Sequence, residues 1–280
     1  MKQLIEHQEF GGERPLYARH GLRLEDVTIH AGESALKETS DIEAVRCRFE
    51  GKYPFWCCER FAVRDCLFTE GARAALWYSS DLEMSDTLVE APKMFREMRR
   101  LHLSHVRIPN AAETLWGCAE VHLEDVEIQK GDYLLMHSHD IKAERLHLDG
   151  NYFFQYCKNI EIHDSILNTK DAFWEAENVT VYDSFLNGEY LAWYSRNLRL
   201  VRCRIAGTQP LCYAEGLVLE DCTFDEDADL AFEYSSVNAD IRGKVTSVKN
   251  PRSGRIHADG GYGEIILDDN VKAPGNCIIL

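Results

Sequence analysis

The residues best equipped for chemistry are aromatic rings set beside carboxylates at a constant spacing. Trp56, Trp77, Trp116, Trp174 and Trp193 are the five tryptophans, and each lies five residues before the start of an apolar strand phrase. The position after them carries Cys57, Tyr78, Gly117, Glu175 and Tyr194, and in other repeats Glu38, Glu97, His137, Tyr156, Tyr213 and Glu233. Rings in such a column can stack on the apolar faces of pyranose sugars, and carboxylates can accept the hydroxyl protons. The pattern is densest around His137, Tyr156, Asp171, Trp174, Glu175, Trp193 and Tyr194, the expected ligand-binding residues. Aromatic ladders of this kind also pack as solenoid walls or make homo-oligomer interfaces, and those readings stand beside the first.

A regular repeat must position these side chains. The phrase apolar, any, apolar, two variable residues, small or apolar, any, apolar runs Val179, Val181, Ser184, Leu186 and again Leu198, Leu200, Cys203, Ile205. It starts at Leu22, Ile42, Phe61, Leu82, Leu101, Val121, Ile141, Ile160, Val179, Leu198 and Leu217, with a weaker copy at Val237, at intervals of 19 to 21. A period of this size signals units that contact only their neighbours. Period-2 alternation and abundant Val, Ile, Phe, Tyr and Thr favour strands over helix. The expected fold is all-β, a single-stranded right-handed parallel β-helix of about 12 coils. Residues 1–15 are expected as an N-terminal cap, 16–249 as repeats and 250–280 as a closing segment. Met94, Phe95 and Met98 sit at helical spacing but fall on the repeat grid, so they too are read as a turn of the stack.

Coils stack about 4.8 Å apart, so repeat positions become ladders along the axis. The fourth position after each strand start reads Asp26, Arg46, Asp65, Asp86, His105, Asp125, Arg145, Asp164, Asp183, Arg202, Asp221, mostly alternating in charge. Two steps, Asp65 with Asp86 and Asp164 with Asp183, juxtapose like charges, which would raise one pKa or recruit a cation. Glu97, His137 and Glu175 lie two coils apart in turn. Their carboxylates would then be about 20 Å apart, beyond the roughly 6.5–9.5 Å of an inverting glycosidase. Glycine-rich phosphate motifs on a βαβ unit and the GxSxG nucleophile motif are absent, and Asp259–Gly263 reads as a loop with no helix behind it. No cofactor, resident metal or complete catalytic constellation is expected.

Composition narrows the partners. The 280 residues carry a formal net charge of −16, which argues against a nucleic-acid backbone or an anionic membrane. Met1 to Phe10 has charges but no apolar signal region, and no run is long enough to span a bilayer, so a cytoplasmic protein is expected. Of the ten cysteines, Cys47, Cys66, Cys203 and Cys222 share a position with Val27, Val106, Val126 and Leu146. Interchange with Val and Leu identifies them as small core residues, and unpaired thiols in this number fit a reducing compartment.

Two folds can write the phrase. Leu198-Arg-Leu200-Val-Arg-Cys203-Arg-Ile205 satisfies a leucine-rich-repeat core, but the sixth position is freely shared by Val, Thr, Leu and Ser, and a helical convex half is missing. Ile160-Glu-Ile162-His-Asp164-Ser165-Ile-Leu167 resembles the coils of the right-handed parallel β-helix proteins of the pectin-lyase-like superfamily. The opening Gly12-Glu13-Arg14-Pro15-Leu16-Tyr17-Ala18 resembles an uncharacterised bacterial family of that class, a domain of unknown function. The resemblance implies a fold and no activity. Polysaccharide-active members of the superfamily use clustered aspartates with Gly-His-Gly, or calcium-binding aspartates with an arginine. Asn168-Thr169-Lys170-Asp171 echoes an Asn-Thr-Asp element with a lysine inserted, and Gly-His-Gly does not occur. The leading expectation is therefore non-catalytic binding of a carbohydrate or similar polyhydroxylated ligand, with a structural scaffold second and a polysaccharide-active enzyme third.

Overall fold

The computed structural model describes residues 2–271 and 274–280. It divides into two compact units, Met1–Lys142 and Ala143–Leu280, and each is a parallel β-solenoid. In the first unit, Gln3–Glu6, Leu22–Glu25, Ser40–Val45, Glu59–Arg64, Ser80–Ser85, Arg99–Ser104 and Ala119–Glu124 pair in parallel, each with the equivalent strand of the next coil. A second face runs from Glu9–Glu13 through Thr28–Glu33 and short two-residue strands to Glu127–Asp132. The second unit repeats the plan with Lys158–His163, Glu177–Tyr182, Arg196–Val201 and Leu217–Phe224 on one face. His147–Asn151, Ile166–Lys170, Phe185–Asn187 and Arg204–Ala206 make the other.

The register is the one the spacing demands. Val179 lies beside Leu198 and Val181 beside Leu200, so the apolar members of the phrase stack into continuous inward columns. Leu198, Leu200, Cys203 and Ile205 are all buried. The shared cysteine position is interior as expected, and its thiols donate to backbone carbonyls, Cys203 Sγ to the Val181 oxygen and Cys222 Sγ to the Leu200 oxygen. Met94, Phe95 and Met98 are fully buried turns of the stack. Among the described residues the only helical element is the short 3-10 turn Glu70–Ala72.

The two solenoids together make about 14 turns, two more than the repeat count. Residues 3–13, expected as a cap, form a coil of their own. Ile5 lies in register with Leu24, and Glu9–Phe10 pairs with Thr28–Ile29. Beyond residue 250, Ser253–Ala258 pairs with Ser236–Ile241, Tyr262–Ile266 with Val245–Lys249, and Ile278–Ile279 with Arg255–Ile256. These coils pair through backbone groups while their side chains depart from the apolar phrase, which hides them from a count of apolar positions.

Corners are built from left-handed backbone. In the coil of Asp171 the residues Asp171, Phe173, Glu175, Asn178 and Asp183 have φ between 49° and 59°. Each such L-residue costs about 1–2 kcal/mol, so a neighbouring coil must hold it in place. It does so by hydrogen bonding: the Asp171, Phe173 and Glu175 amides donate to the Glu189, Phe153 and Trp193 carbonyls at 2.9 Å. The charge ladder has the same origin, since its aspartates occupy left-handed corners that this short polar side chain tolerates. Within the ladder, Asp183 is engaged by Arg202 through two 2.6 Å hydrogen bonds, and the guanidinium lowers its pKa.

A candidate ligand-binding face

Each triplet at the aromatic corner divides its labour by backbone geometry. In Phe173-Trp174-Glu175 the first side chain points inward and is buried, the second is half-buried and the third is exposed. The left-handed φ of the first and third residues turns successive side chains through the wall of the coil. Ala192-Trp193-Tyr194 repeats the arrangement, and Leu211-Cys212-Tyr213 keeps the order with Cys212 buried and Tyr213 half-buried. Phe173 stacks on Phe154 at 5.3 Å, and Trp174 stacks on Trp193 at 5.5 Å and 19°. In the first unit the same column holds Arg96 between the rings of Trp77 and Trp116, 4.3 and 4.6 Å from their centroids. A guanidinium can join that stack because it too is planar and is drawn to the ring faces.

The tryptophans therefore form a middle layer, and the outer rings of the second unit are tyrosines. Tyr194, Tyr213 and Tyr234 follow one another at 5.3 and 5.2 Å between ring centroids. Beside them runs Glu177, Arg196 and Glu215 in strand register. The two columns border an open cleft of about 570 Å³ lined by Glu175, Tyr194, Arg196, Tyr213, Glu215, Tyr234 and Arg252. Arg252 Nη2 donates to Glu215 Oε1 at 3.4 Å, an exposed contact that orients more than it stabilises. Burial, and then the Glu233 carboxylate, push the Tyr213 phenol up, so it stays a neutral donor at physiological pH.

A family model described as "Protein of unknown function (DUF3737)" matches residues 3–280. The chain belongs to this family. Among solved structures, the Azotobacter vinelandii mannuronan C-5 epimerase AlgE4 A-module is similar at 10% identity, covering 100% of this chain and 89% of that one, with a TM-score of 0.31. No curated protein matches the sequence. Among the described residues no helix is long and apolar enough to cross a membrane.

The expected site residues of this DUF3737 chain are distributed as follows. Glu175 and Tyr194 line the cleft, and Tyr156 is an exposed ring of the same outward column in the second unit. His137 is exposed and belongs to the first unit. Trp174 and Trp193 lie behind the tyrosines, and their Nε1 atoms are buried without a hydrogen-bond partner. By contrast, Trp77 Nε1 donates to the Lys93 carbonyl at 2.7 Å, and Trp116 Nε1 to that of Tyr133. Asp171, expected at the surface, is only 4% exposed, and its Oδ1 has no partner. Burial raises its pKa, with Lys170 partly opposing.

Arg196, Glu215, Tyr234 and Arg252 were not singled out by the sequence reading. The Glu177-Arg196-Glu215 column was readable from the period alone, two residues before each strand start. Tyr234 was hidden by a register slip. Tyr194 and Tyr213 precede their strands' first apolar residue by four positions, whereas Tyr234 precedes Val237 by three. Counting back from the strand therefore puts Glu233 in its place.

Proposed function

We propose that the tyrosine face of the second unit binds a carbohydrate or a similarly polyhydroxylated ligand without transforming it. The observation that supports this reading is the run of three outer rings, one per coil, beside a file of two carboxylates and two guanidiniums in one open cleft. Amphipathic rings offer apolar faces to sugar C–H groups, while Glu175, Glu215, Arg196 and Arg252 supply acceptors and donors for hydroxyls. Binding without turnover fits the spacing: Glu175 and Glu215 lie two coils apart, about 10 Å along the axis, and in different columns as well, too far for a retaining pair and beyond an inverting one. Ten cysteines, eight of them buried, accord with a reducing, cytoplasmic setting.

The test is calorimetric titration with oligosaccharides selected on a glycan array, comparing the native chain with Tyr194→Ala, Tyr213→Ala and Glu215→Gln. Affinity should fall at least tenfold in each tyrosine variant. Indistinguishable isotherms would remove the proposal. Sedimentation of the same variants separates the scaffold reading, because a stable dimer that dissociates on Tyr213→Ala would assign this face to a second copy of the chain.

A further inference from the structure

Resting on the reading just proposed, we infer that the ligand is an uncharged oligosaccharide chain, held by a second subsite against the C-terminal segment as well as by the tyrosine cleft. Tyr213 and Tyr234 line another open cleft, of about 900 Å³, whose remaining walls are Glu233, Lys249 and the segment from Leu267 to Val271. The two clefts thus share two rings of the tyrosine run, 5.2 Å apart between centroids, while Tyr194 borders only the first. A ligand stacked on the shared rings can continue into either hollow. A single sugar ring uses one of them, whereas a chain uses both.

The second cleft is held in shape by its own polar contacts. The Asp268 amide donates to Asn250 Oδ1 and Asn250 Nδ2 donates to Asp268 Oδ2, each at 2.9 Å, so one reciprocal pair pins the segment to a buried residue of the preceding coil. Lys249 Nζ meets Glu233 Oε1 at 3.0 Å, with both side chains largely covered. Pinned this way, Leu267 is left 66% exposed in the cleft wall. It offers an apolar surface to sugar C–H groups beside polar acceptors, the mixture that small-molecule sites use.

Charge decides the class of chain. Across the two clefts the lining carries five carboxylates, those of Glu175, Glu215, Glu233, Asp268 and Asp269, against three cations. Two of the cations, Lys249 and Arg252, are already engaged by Glu233 and Glu215. Ionised carboxylates only accept hydrogen bonds, so they suit hydroxyl donors and repel a chain that carries carboxylates of its own. The net charge of −16 acts in the same direction at longer range.

The experiment is calorimetric titration of the full chain at low salt with gluco-, manno- and xylo-oligosaccharides, each as disaccharide and hexasaccharide, and with hexameric oligogalacturonate. A neutral hexasaccharide should bind at least about tenfold more tightly than its disaccharide and than the oligogalacturonate. The double variant Leu267→Ser, Asp269→Ala alters two exposed side chains of the second cleft and should remove that gain while leaving the disaccharide unchanged. Tyr194→Ala should weaken both lengths alike, since that ring borders the first cleft alone. Circular dichroism checks that each variant keeps its strands. Equal affinity for the two lengths, a hexasaccharide indifferent to the double variant, or preference for the oligogalacturonate overturns the inference and leaves the tyrosine face standing as a carbohydrate site. No binding of any saccharide removes both.

Discussion

The left-handed corners make a prediction that runs against ordinary substitution rules. Phe173 is 1% exposed and stacked on Phe154, so Phe173→Ala should cost about 3–5 kcal/mol through lost transfer energy and the cavity left behind. Phe173→Gly removes the same ring and one methyl more. At an ordinary φ glycine would be worse than alanine by about 0.5–1 kcal/mol, because it loses more backbone entropy on folding. At the φ of +59° seen here an L-residue carries a penalty of about 1–2 kcal/mol that glycine escapes. Set against the entropy cost and about 0.8 kcal/mol for the extra buried methyl, this leaves the two variants about equal, the glycine variant recovering roughly 1–2 kcal/mol relative to an ordinary backbone position. Phe55 supplies the control, since it is equally buried, stacks on Phe61, and does not have left-handed backbone. There alanine should beat glycine. Urea midpoints for the four variants decide the matter, provided each pair shares one slope. If glycine falls below alanine at position 173 by the margin seen at position 55, the left-handed geometry assigned to that corner is wrong.

Two further outcomes follow from buried titratable groups. Because burial raises the Asp171 pKa above its unfolded value of about 3.9, the native state holds this proton longer than the unfolded chain does. Stability therefore falls as pH rises between the two values. Asp171→Asn should melt higher than the native chain at neutral pH, with the difference fading near pH ~3; a lower neutral melting temperature would mean that the ionised carboxylate has a partner. Burial likewise pushes the Cys118 thiol up to about 12 and keeps it from reagents. A thiol-reactive chromophore at mild alkaline pH should label exposed Cys57 first and half-buried Cys277 more slowly, with the eight buried cysteines reacting only in denaturant. Rapid native labelling of Cys118 would contradict its place inside the coil.

How much was legible can be judged residue by residue. The columns through Val179 and Leu198 and the interior place of Cys203 follow from a period that places equivalent residues one coil apart. Such a period survives in sequence because every coil must bury the same positions against its neighbours. Coils whose side chains leave the apolar phrase, such as Gln3–Glu6, stayed invisible, since backbone hydrogen bonds need no particular side chain. Asp171 is a different case. Period and polarity assign it to the surface, and only the folded chain shows that its side chain is covered.

By itself, then, the amino-acid order determined that the chain stacks in parallel coils and which residues become axial neighbours, because strand alternation and a constant period are local properties. Tertiary structure decided which member of each aromatic triplet meets solvent and that Tyr234 joins Tyr194 and Tyr213. Those outcomes depend on left-handed corners and on a one-residue shortening before Val237. Both are settled by how one coil seats on the next, a condition that no single repeat records.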